Sequence, residues 1–254
     1  DCVGIFDECG VCNGEGIADG YCDCNASVLD ECGVCGGNGL SCLEPEDAFN
    51  LFFSEVAEGS SNNKYIEIYN GDVEEVDLNQ YSISTCSNGC DELGAWDYPN
   101  NVTFDPGILL SPGDVYVVCH GSSDELILAE CDQFFTYLSN GDDVMALTQV
   151  SSGIVLDVVG LVGDDPGNGW DVAGISDATK DHTLVRKSSV NSGNSLWLDN
   201  PETGGIGSAG TNAENSEWVV FDQDMWEYLG YHPHDFSSDI MGCMDEAACN
   251  YNPN

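Results

Sequence analysis

Cysteines at metal-binding spacing are the first residues of this sequence that could do chemistry. Cys9 and Cys12 form one Cys-x-x-Cys pair, and Cys32 and Cys35 form another in a second copy of the same segment. Two such pairs predict a zinc site in a reducing compartment, because four thiolates complete the tetrahedral coordination of structural zinc. Further cysteines surround both pairs, so we favour disulfides over zinc and leave their pairing open.

Cysteine content also bears on location. The chain has 14 cysteines, an even number that predicts a disulfide framework and an extracellular or cell-surface location. We expect Cys86 and Cys90 to close a turn, Cys119 and Cys131 to pair, and Cys243 to pair with Cys249 or with a cysteine outside the chain. The cysteines predicted to form disulfides are Cys2, Cys9, Cys12, Cys22, Cys24, Cys32, Cys35, Cys42, Cys86, Cys90, Cys119, Cys131, Cys243 and Cys249.

Aspartates in Gly- and Asn-rich turns are the second candidate chemistry. Such turns present several oxygens at short spacing, which suits calcium. The spacing of the EF-hand loop does not occur, and the alternative is that these carboxylates only close turns. The calcium candidates are Asp7, Asp19, Asp23, Asp30, Asp164, Asp165 and Asp171.

Charge excludes two classes of partner. Asp and Glu number 46 against four basic residues, for a net charge of −42. Nucleic acid and anionic membrane surfaces would be repelled, because binding them requires Lys and Arg. No apolar run is long enough to span a membrane, and no signal peptide is evident. Because the chain begins inside a repeat, we expect it to be a piece of a longer secreted protein adapted to salty water.

Few residues invite a catalytic role, and no catalytic motif is present, so we predict that the chain is not an enzyme. Glu67 alternates with apolar neighbours, and we interpret it as a framework residue that accepts backbone N–H groups. Arg186 is expected to pair with a carboxylate. His232 and His234 could bind a metal, but we predict that they are surface residues because no ligand set adjoins them.

Aromatic residues offer a binding alternative. Trp96, Tyr98, Trp170 and Trp197, if exposed, could stack on sugar rings, since aromatic side chains combine apolar faces with polar edges. The competing interpretation is that most of them belong to the core or hold loops in place.

Strand patterns dominate the elements that must position these residues. Two runs, 51–56 and 65–69, flank a polar loop and predict a strand pair. Further strands are predicted at 76–84, 101–104, 108–110, 115–119, 154–162, 182–187 and 217–221, with a hairpin over 136–148 and a short helix or strand at 127–130. Strands separated by Gly, Pro, Asn and Asp turns predict an all-β protein with an antiparallel sandwich.

Six motifs follow one another along the strand-rich part of the chain. They are Tyr65–Asn70, Asp77–Tyr81, Leu110–Val118, Leu138–Leu147, Asp157–Gly160 and Thr183–Arg186. As an ordered set, these motifs resemble lamin-tail domains, in the form found in secreted bacterial proteins. The resemblance implies an immunoglobulin-like β-sandwich, and the cysteines and charge argue against lamina-type partners.

Residues 7–16 recur as 30–39 in the first flanking segment, and residues 242–254 form a second Cys-containing flanking segment. The first segment resembles Cys/Gly/Asp-rich repeats of marine bacterial surface proteins, and the second is similar to the start of another such repeat. We therefore predict a disulfide-rich arm over 1–44, a lamin-tail-like sandwich over 45–235 and the start of a Cys-containing repeat over 236–254. A Gly-rich arm with few large apolar residues needs cross-links or ions to hold its structure.

The predicted function is that of a structural or adhesive module of a secreted or cell-surface protein. A concrete version is the repeating subunit of an extracellular filament, with calcium adding rigidity and partners that are copies of itself or neighbouring domains. The alternative is a glycan- or protein-binding accessory module of a secreted hydrolase.

Overall fold

The computed structural model describes residues 50–91, 95–163 and 165–234, together with 4, 6–7, 9–14, 16–18, 20–24, 27–28 and 35. One short helix, α1 (Glu125–Glu130), and a 3-10 turn, Leu78–Gln80, lie among the strands of this part of the chain. The strands are β1 (Leu51–Glu58), β2 (Lys64–Asn70), β3 (Val76–Asp77), β4 (Tyr81–Cys86), β5 (Tyr98–Thr103), β6 (Leu109–Leu110), β7 (Val115–Cys119), β8 (Gln133–Phe134), β9 (Val144–Gln149), β10 (Val155–Val159), β11 (His182–Arg186) and β12 (Trp218–Asp222).

Two larger sheets form the sandwich. The six-stranded sheet has the order β12-β11-β1-β2-β7-β8, and the four-stranded sheet has the order β10-β9-β4-β5. Strands β3 and β6 form a small third sheet. Neighbouring strands are antiparallel except for β7 and β8, which are parallel. The predicted all-β, immunoglobulin-like antiparallel sandwich is confirmed.

Strand β1 shows why the apolar runs become central strands. Leu51, Phe52 and Phe53 are fully buried, and seven of the eight residues of β1 are buried on both faces of the sheet. The strand pairs with β2 on one side and β11 on the other. The apolar run at the start of β1 suits such a position, because neither face meets water.

Helix α1 and the segment that follows β12 cover the six-stranded sheet. Ile127 of α1 and Leu229 pack in one buried cluster with Tyr65, Val117 and Cys119 of the sheet. Asp124 caps the helix by accepting a hydrogen bond from the backbone N–H of Leu126, as favoured N-cap residues do. The six-stranded sheet therefore carries apolar residues on this face as well.

Two sequence predictions of elements are wrong. The predicted hairpin over 136–148 does not form, because β9 pairs with β4 and β10 instead. In the loop before β9, side chains take the backbone donors: Asp143 accepts from the N–H of Asn140, and Ser139 accepts from that of Gly141. The predicted strand over 76–84 is interrupted by the 3-10 turn, where Asp77 accepts from the N–H of Asn79.

The chain divides into two compact units, residues 1–48 and 49–254. In the first unit, Phe6 and Cys12 form a β-bridge around a turn, and two disulfides, Cys9–Cys24 and Cys22–Cys35, cross-link the segment. Predicted boundaries at 44/45 and 235/236 stay predictions, and the predicted repeat over 236–254 lies outside the described residues. Within the described part of the chain, no helix has the length and apolar character of a membrane span.

Candidate functional site

A cleft at the end of the four-stranded sheet is the candidate functional site. Cross-strand register places Thr85 of β4 opposite Met145 of β9 on one side and opposite Tyr98 of β5 on the other. Residues from the turn after β4 and from the loop before β9 complete it. We call this the tyrosine cleft, and its lining residues are Thr85, Cys86, Ser87, Tyr98, Asn101, Tyr137, Ser139, Asp143 and Met145.

Two exposed tyrosines form the walls of the tyrosine cleft. Tyr98 is 52% exposed and Tyr137 is 82% exposed, whereas Met145 and Cys86, which also line the cleft, are buried. The ring of Phe135 contacts that of Tyr137 edge-on, with centroids 6.1 Å apart. The cleft volume is about 290 Å³, close to the lower limit of ligand pockets. A pocket of this size holds one side chain or one small ring.

Hydrogen bonds hold the polar residues of the cleft in place. The carboxylate of Asp143 accepts the backbone N–H of Asn88 at 3.0 Å and that of Asn140 at 3.2 Å. The side-chain amide of Asn101 donates to Thr85 Oγ1 at 2.7 Å. None of the lining residues is basic. The cleft therefore combines aromatic walls with one carboxylate, an arrangement suited to binding a neutral or cationic group.

The rim of the cleft is braced by a short disulfide. Cys86 and Cys90 are bonded across a sequence separation of four residues, with Cα atoms 4.8 Å apart. Asp97 accepts the backbone N–H groups of Ser87 and Asp91, each at 3.1 Å. These contacts join the turn after β4 to the segment that leads into β5, so the wall that carries Tyr98 is fixed at its base.

Sequence reasoning identified only part of this cleft. Tyr98, one of the aromatic residues considered for sugar stacking, is exposed, and Trp96 is partly exposed. Trp170 and Trp197 are 5% and 2% exposed and belong to the core, which agrees with the competing interpretation for these two residues. Tyr137 was missed, although an aromatic residue in a polar loop was the signal available.

Glu67 faces Glu55 across strands β1 and β2, and both side chains have no exposed surface. Glu67 accepts the hydroxyl of Ser54 at 2.6 Å and the backbone N–H of Gly230 at 2.7 Å, which confirms the framework role predicted for it. Burial raises the pKa of Glu67 to about 7. Burial and the facing Glu67 carboxyl raise the pKa of Glu55, to which Tyr65 donates a hydrogen bond.

Arg186 is the centre of a buried ion network that joins the two sheets. Its guanidinium donates to Asp157 of β10, to the carbonyl oxygen of Phe53 at 3.1 Å and to Glu217 at 2.6 Å. The guanidinium carbon lies 3.9 Å from the ring centroid of Trp218, within the range of a cation–π contact. The predicted pairing of Arg186 with a carboxylate is confirmed.

The prediction that His232 and His234 are surface residues is wrong. They are 5% and 4% exposed, because aromatic rings enclose them: His232 contacts Phe52 and Tyr69 edge-on, and His234 contacts Tyr228. Burial, then the neighbouring His234 and Arg186, lower the pKa of His232 to about 4. A neutral imidazole therefore packs as an aromatic ring against β1 and β2.

Calcium candidates within the described residues act as turn-closing acceptors. Asp7, Asp23, Asp165 and Asp171 each accept a backbone N–H from a residue two to nine positions later. No three His, Cys, Asp or Glu side chains come together as a metal site in the part of the chain that the structure describes. The remaining candidates, which lie outside the described residues, are Asp19, Asp30 and Asp164.

Most of the described cysteines form disulfides with partners that the structure also describes. Besides the bonds of the first unit and the cleft rim, Cys119 is bonded to Cys131, with Cα atoms 5.7 Å apart. Cys12 is also disulfide-bonded. Cys9 thus pairs with Cys24 and not with Cys12 in a zinc-type pair. The predicted cysteines outside the described residues are Cys2, Cys32, Cys42, Cys243 and Cys249.

Comparison with known proteins shows similarity to one family over part of the chain. The family model described as Lamin Tail Domain matches residues 44–163. No curated protein matches the chain. Among solved structures, the crystal structure of a DUF4876 family protein from Bacteroides thetaiotaomicron is similar with a TM-score of 0.42 and 11% sequence identity, over 73% of this chain and 75% of that chain.

Proposed function

We propose, from the lamin tail match over residues 44–163, that the chain is a structural and adhesive module of a secreted or cell-surface protein. The observation that carries the proposal is the cross-linking of residues 9–35. The loops closed by Cys9–Cys24 and Cys22–Cys35 overlap in sequence, so the two bonds restrain one continuous stretch. Such a segment is stiffer than a free Gly-rich linker, which suits a spacer.

In its concrete form, the proposal makes the chain a repeating filament subunit with calcium-assisted rigidity. Sheet edges support this form, because β12 and β5 each end a sheet, and an edge strand can pair with a strand of another chain. Head-to-tail contacts of this kind propagate when their symmetry does not close.

Electron microscopy of the concentrated protein, with and without calcium chloride, tests the filament. Linear assemblies that shorten after chelation or after disulfide reduction are the expected result. Discrete monomers at high concentration in calcium would contradict the filament form. The same preparations, screened for hydrolysis of nucleic acid and glycans, are expected to be inactive, because the proposal assigns no catalysis to the chain.

A second candidate function, that of a binding module, is favoured by the tyrosine cleft. Tyr98 and Tyr137 present aromatic faces beside Asp143, and exposed tyrosines are enriched where proteins bind ligands. A glycan or a protein partner would occupy the cleft. Glycan-array and partner-capture measurements on the wild type and on the Tyr98→Ala/Tyr137→Ala variant test this function. Equal signals from the wild type and the variant would show that the tyrosine cleft does not bind the glycan or the partner.

A further inference from the structure

We propose that the tyrosine cleft receives the ammonium group of a lysine side chain from a protein partner that is not a second copy of this chain. The inference rests on the binding function proposed for the cleft and names the chemical group that occupies it.

The walls of the cleft favour a cation over a neutral group. The faces of Tyr98 and Tyr137 carry the negative part of the ring quadrupole, which attracts ammonium groups. Asp143 adds a carboxylate whose two oxygens accept one backbone N–H each. Because each carboxylate oxygen can accept about two hydrogen bonds, acceptor capacity remains for a third donor. The net charge of −42 adds attraction for cations and repels anions.

The floor of the cleft suits an alkyl stem more than a sugar. Met145 and Cys86 are buried residues of the cleft lining, and their sulfur and methylene groups offer apolar contact. The amide of Asn101 already donates to Thr85 Oγ1, so one of its two N–H groups is engaged before any ligand arrives. A lysine buries its methylene stem on apolar surface and keeps its ammonium group at the polar end.

A second copy of the chain is a poor source of this lysine. The chain has four basic residues. Lys64 binds Glu58 at 3.1 Å and the carbonyl oxygen of Ser139 at 3.0 Å, and Arg186 is buried. Lys187 donates to backbone carbonyl oxygens. Lys180 is half-buried, and its charge interacts with the carboxyl group of Asp142, whose pKa burial raises, so this charge acts within its own chain.

The experiment is an NMR titration of the full chain with Nα-acetyl-lysine methylamide at constant ionic strength. Its neutral control is Nα-acetyl-norleucine methylamide, and glucosamine supplies an ammonium group on a sugar. We expect amide shifts at the cleft with the lysine probe and about a tenfold weaker response to norleucine. Changing Tyr98 or Tyr137 to Leu should weaken binding about 2- to 30-fold, whereas the Phe variants keep the ring faces and stay within about threefold.

Further variants connect the result to charge and to fold. Asp143→Asn should weaken the lysine probe about two- to fivefold, and Tyr231→Leu, an exposed tyrosine outside the cleft, should leave it unchanged. Lys180→Met should not alter binding. Thermal unfolding of each variant shows whether a loss of binding reflects a loss of structure. If a Leu variant unfolds, binding of the lysine probe to the Phe variants is the test that remains.

Several outcomes overturn the inference. An equal response to the norleucine and lysine probes would show that charge plays no role. Loss of lysine binding in the Phe variants would assign the contact to the tyrosine hydroxyls. Tighter binding of glucosamine than of the lysine probe would make an amino sugar the ligand. If a glycan or partner binds through both tyrosines and the lysine probe gives no response, the proposed binding function stands and this inference is wrong. Blank results in every arm overturn both.

Discussion

Glu67 carries a fully buried carboxyl group whose proton links the stability of the sandwich to pH. Its pKa rises from 4.5 to about 7 on folding because burial disfavours the charged form. Between these values the unfolded chain loses this proton while the folded chain keeps it, so the unfolded state binds fewer protons and stability falls as pH rises. The loss should total about 3 kcal/mol across this window and level off above it.

The variant Glu67→Gln tests that linkage, because its amide is neutral at every pH and can still accept from Gly230 and hydrogen-bond with Ser54. We expect chemical denaturation to show that the variant lacks the part of the stability decrease that Glu67 contributes between about pH 4.5 and 7. Glu67→Ala is the contrast, since it leaves both donors without an acceptor and should be destabilised throughout. Parallel pH profiles for the wild type and the Gln variant would show that Glu67 does not carry the proton.

Arg186 sets a second prediction at the residue scale. Arg186→Met leaves Asp157, which has no exposed surface, without its charged partner, and such an uncompensated buried charge costs about 3–5 kcal/mol. The double variant with Asp157→Asn should lose less than the sum of the single variants, because the remaining charge is removed too. Lys180→Met, a half-buried lysine, should change unfolding free energy by less than about 0.5 kcal/mol. Additive losses in the double-mutant cycle would contradict the proposed coupling.

Side-chain roles were predictable from sequence where local pattern determined them. Glu67 stands between apolar residues of a strand, and Arg186 is a rare cation on a strand, so framework and ion-pair roles followed. His232 and His234 lie in a segment without periodicity, and their burial depends on Phe52, Tyr69 and Tyr228 from other elements. Tyr137 joins Tyr98 in one cleft only because β5 and the loop before β9 flank β4.

Helix α1 gives a prediction at the scale of elements. The Cys119–Cys131 bond ties the end of β7 to the residue that follows α1, across a sequence separation of 12 residues. Loop-closure entropy predicts that Cys119→Ala/Cys131→Ala loses about 3 kcal/mol, against about 2 kcal/mol for Cys86→Ala/Cys90→Ala with its shorter loop. Denaturation under non-oxidising conditions measures both losses. Hydrogen exchange in α1 should rise only for the first pair, and unchanged exchange in α1 of the Cys119→Ala/Cys131→Ala variant would show that α1 does not depend on this bond.

Strand identity was predictable where apolar runs are long, and it failed where side chains compete for backbone donors. The apolar and aromatic residues of 51–56 predicted a strand, and β1 extends over Leu51–Glu58 with seven of its eight residues buried. The loop before β9 contains Ser139 and Asp143, which accept backbone N–H groups and prevent the predicted hairpin. Pairing order was not predictable in detail, since β1 pairs with β11 across more than 120 residues of sequence.

At the scale of the whole molecule, charge opposes compactness. With a net charge of −42, the folded chain repels itself more strongly than the expanded chain, and dissolved salt screens this repulsion beyond about 10 Å at 0.1 M ionic strength. Buried contacts such as the Arg186 network are screened much less. Salt should therefore stabilise the chain through its surface and leave its interior interactions largely unchanged.

Thermal unfolding in sodium chloride and in calcium chloride at matched ionic strength separates screening from calcium binding. We expect Tm to rise with sodium chloride from about 10 mM to 0.5 M, because the Debye length falls from about 30 Å to under 10 Å. A specific site adds to this rise, since a cation that binds only the folded state stabilises it by mass action. Calcium should raise Tm beyond the sodium curve, and magnesium chloride at the same concentration controls for divalent charge. Equal Tm curves for calcium and magnesium would show that calcium acts by screening alone, and would contradict a role for calcium in the proposed function.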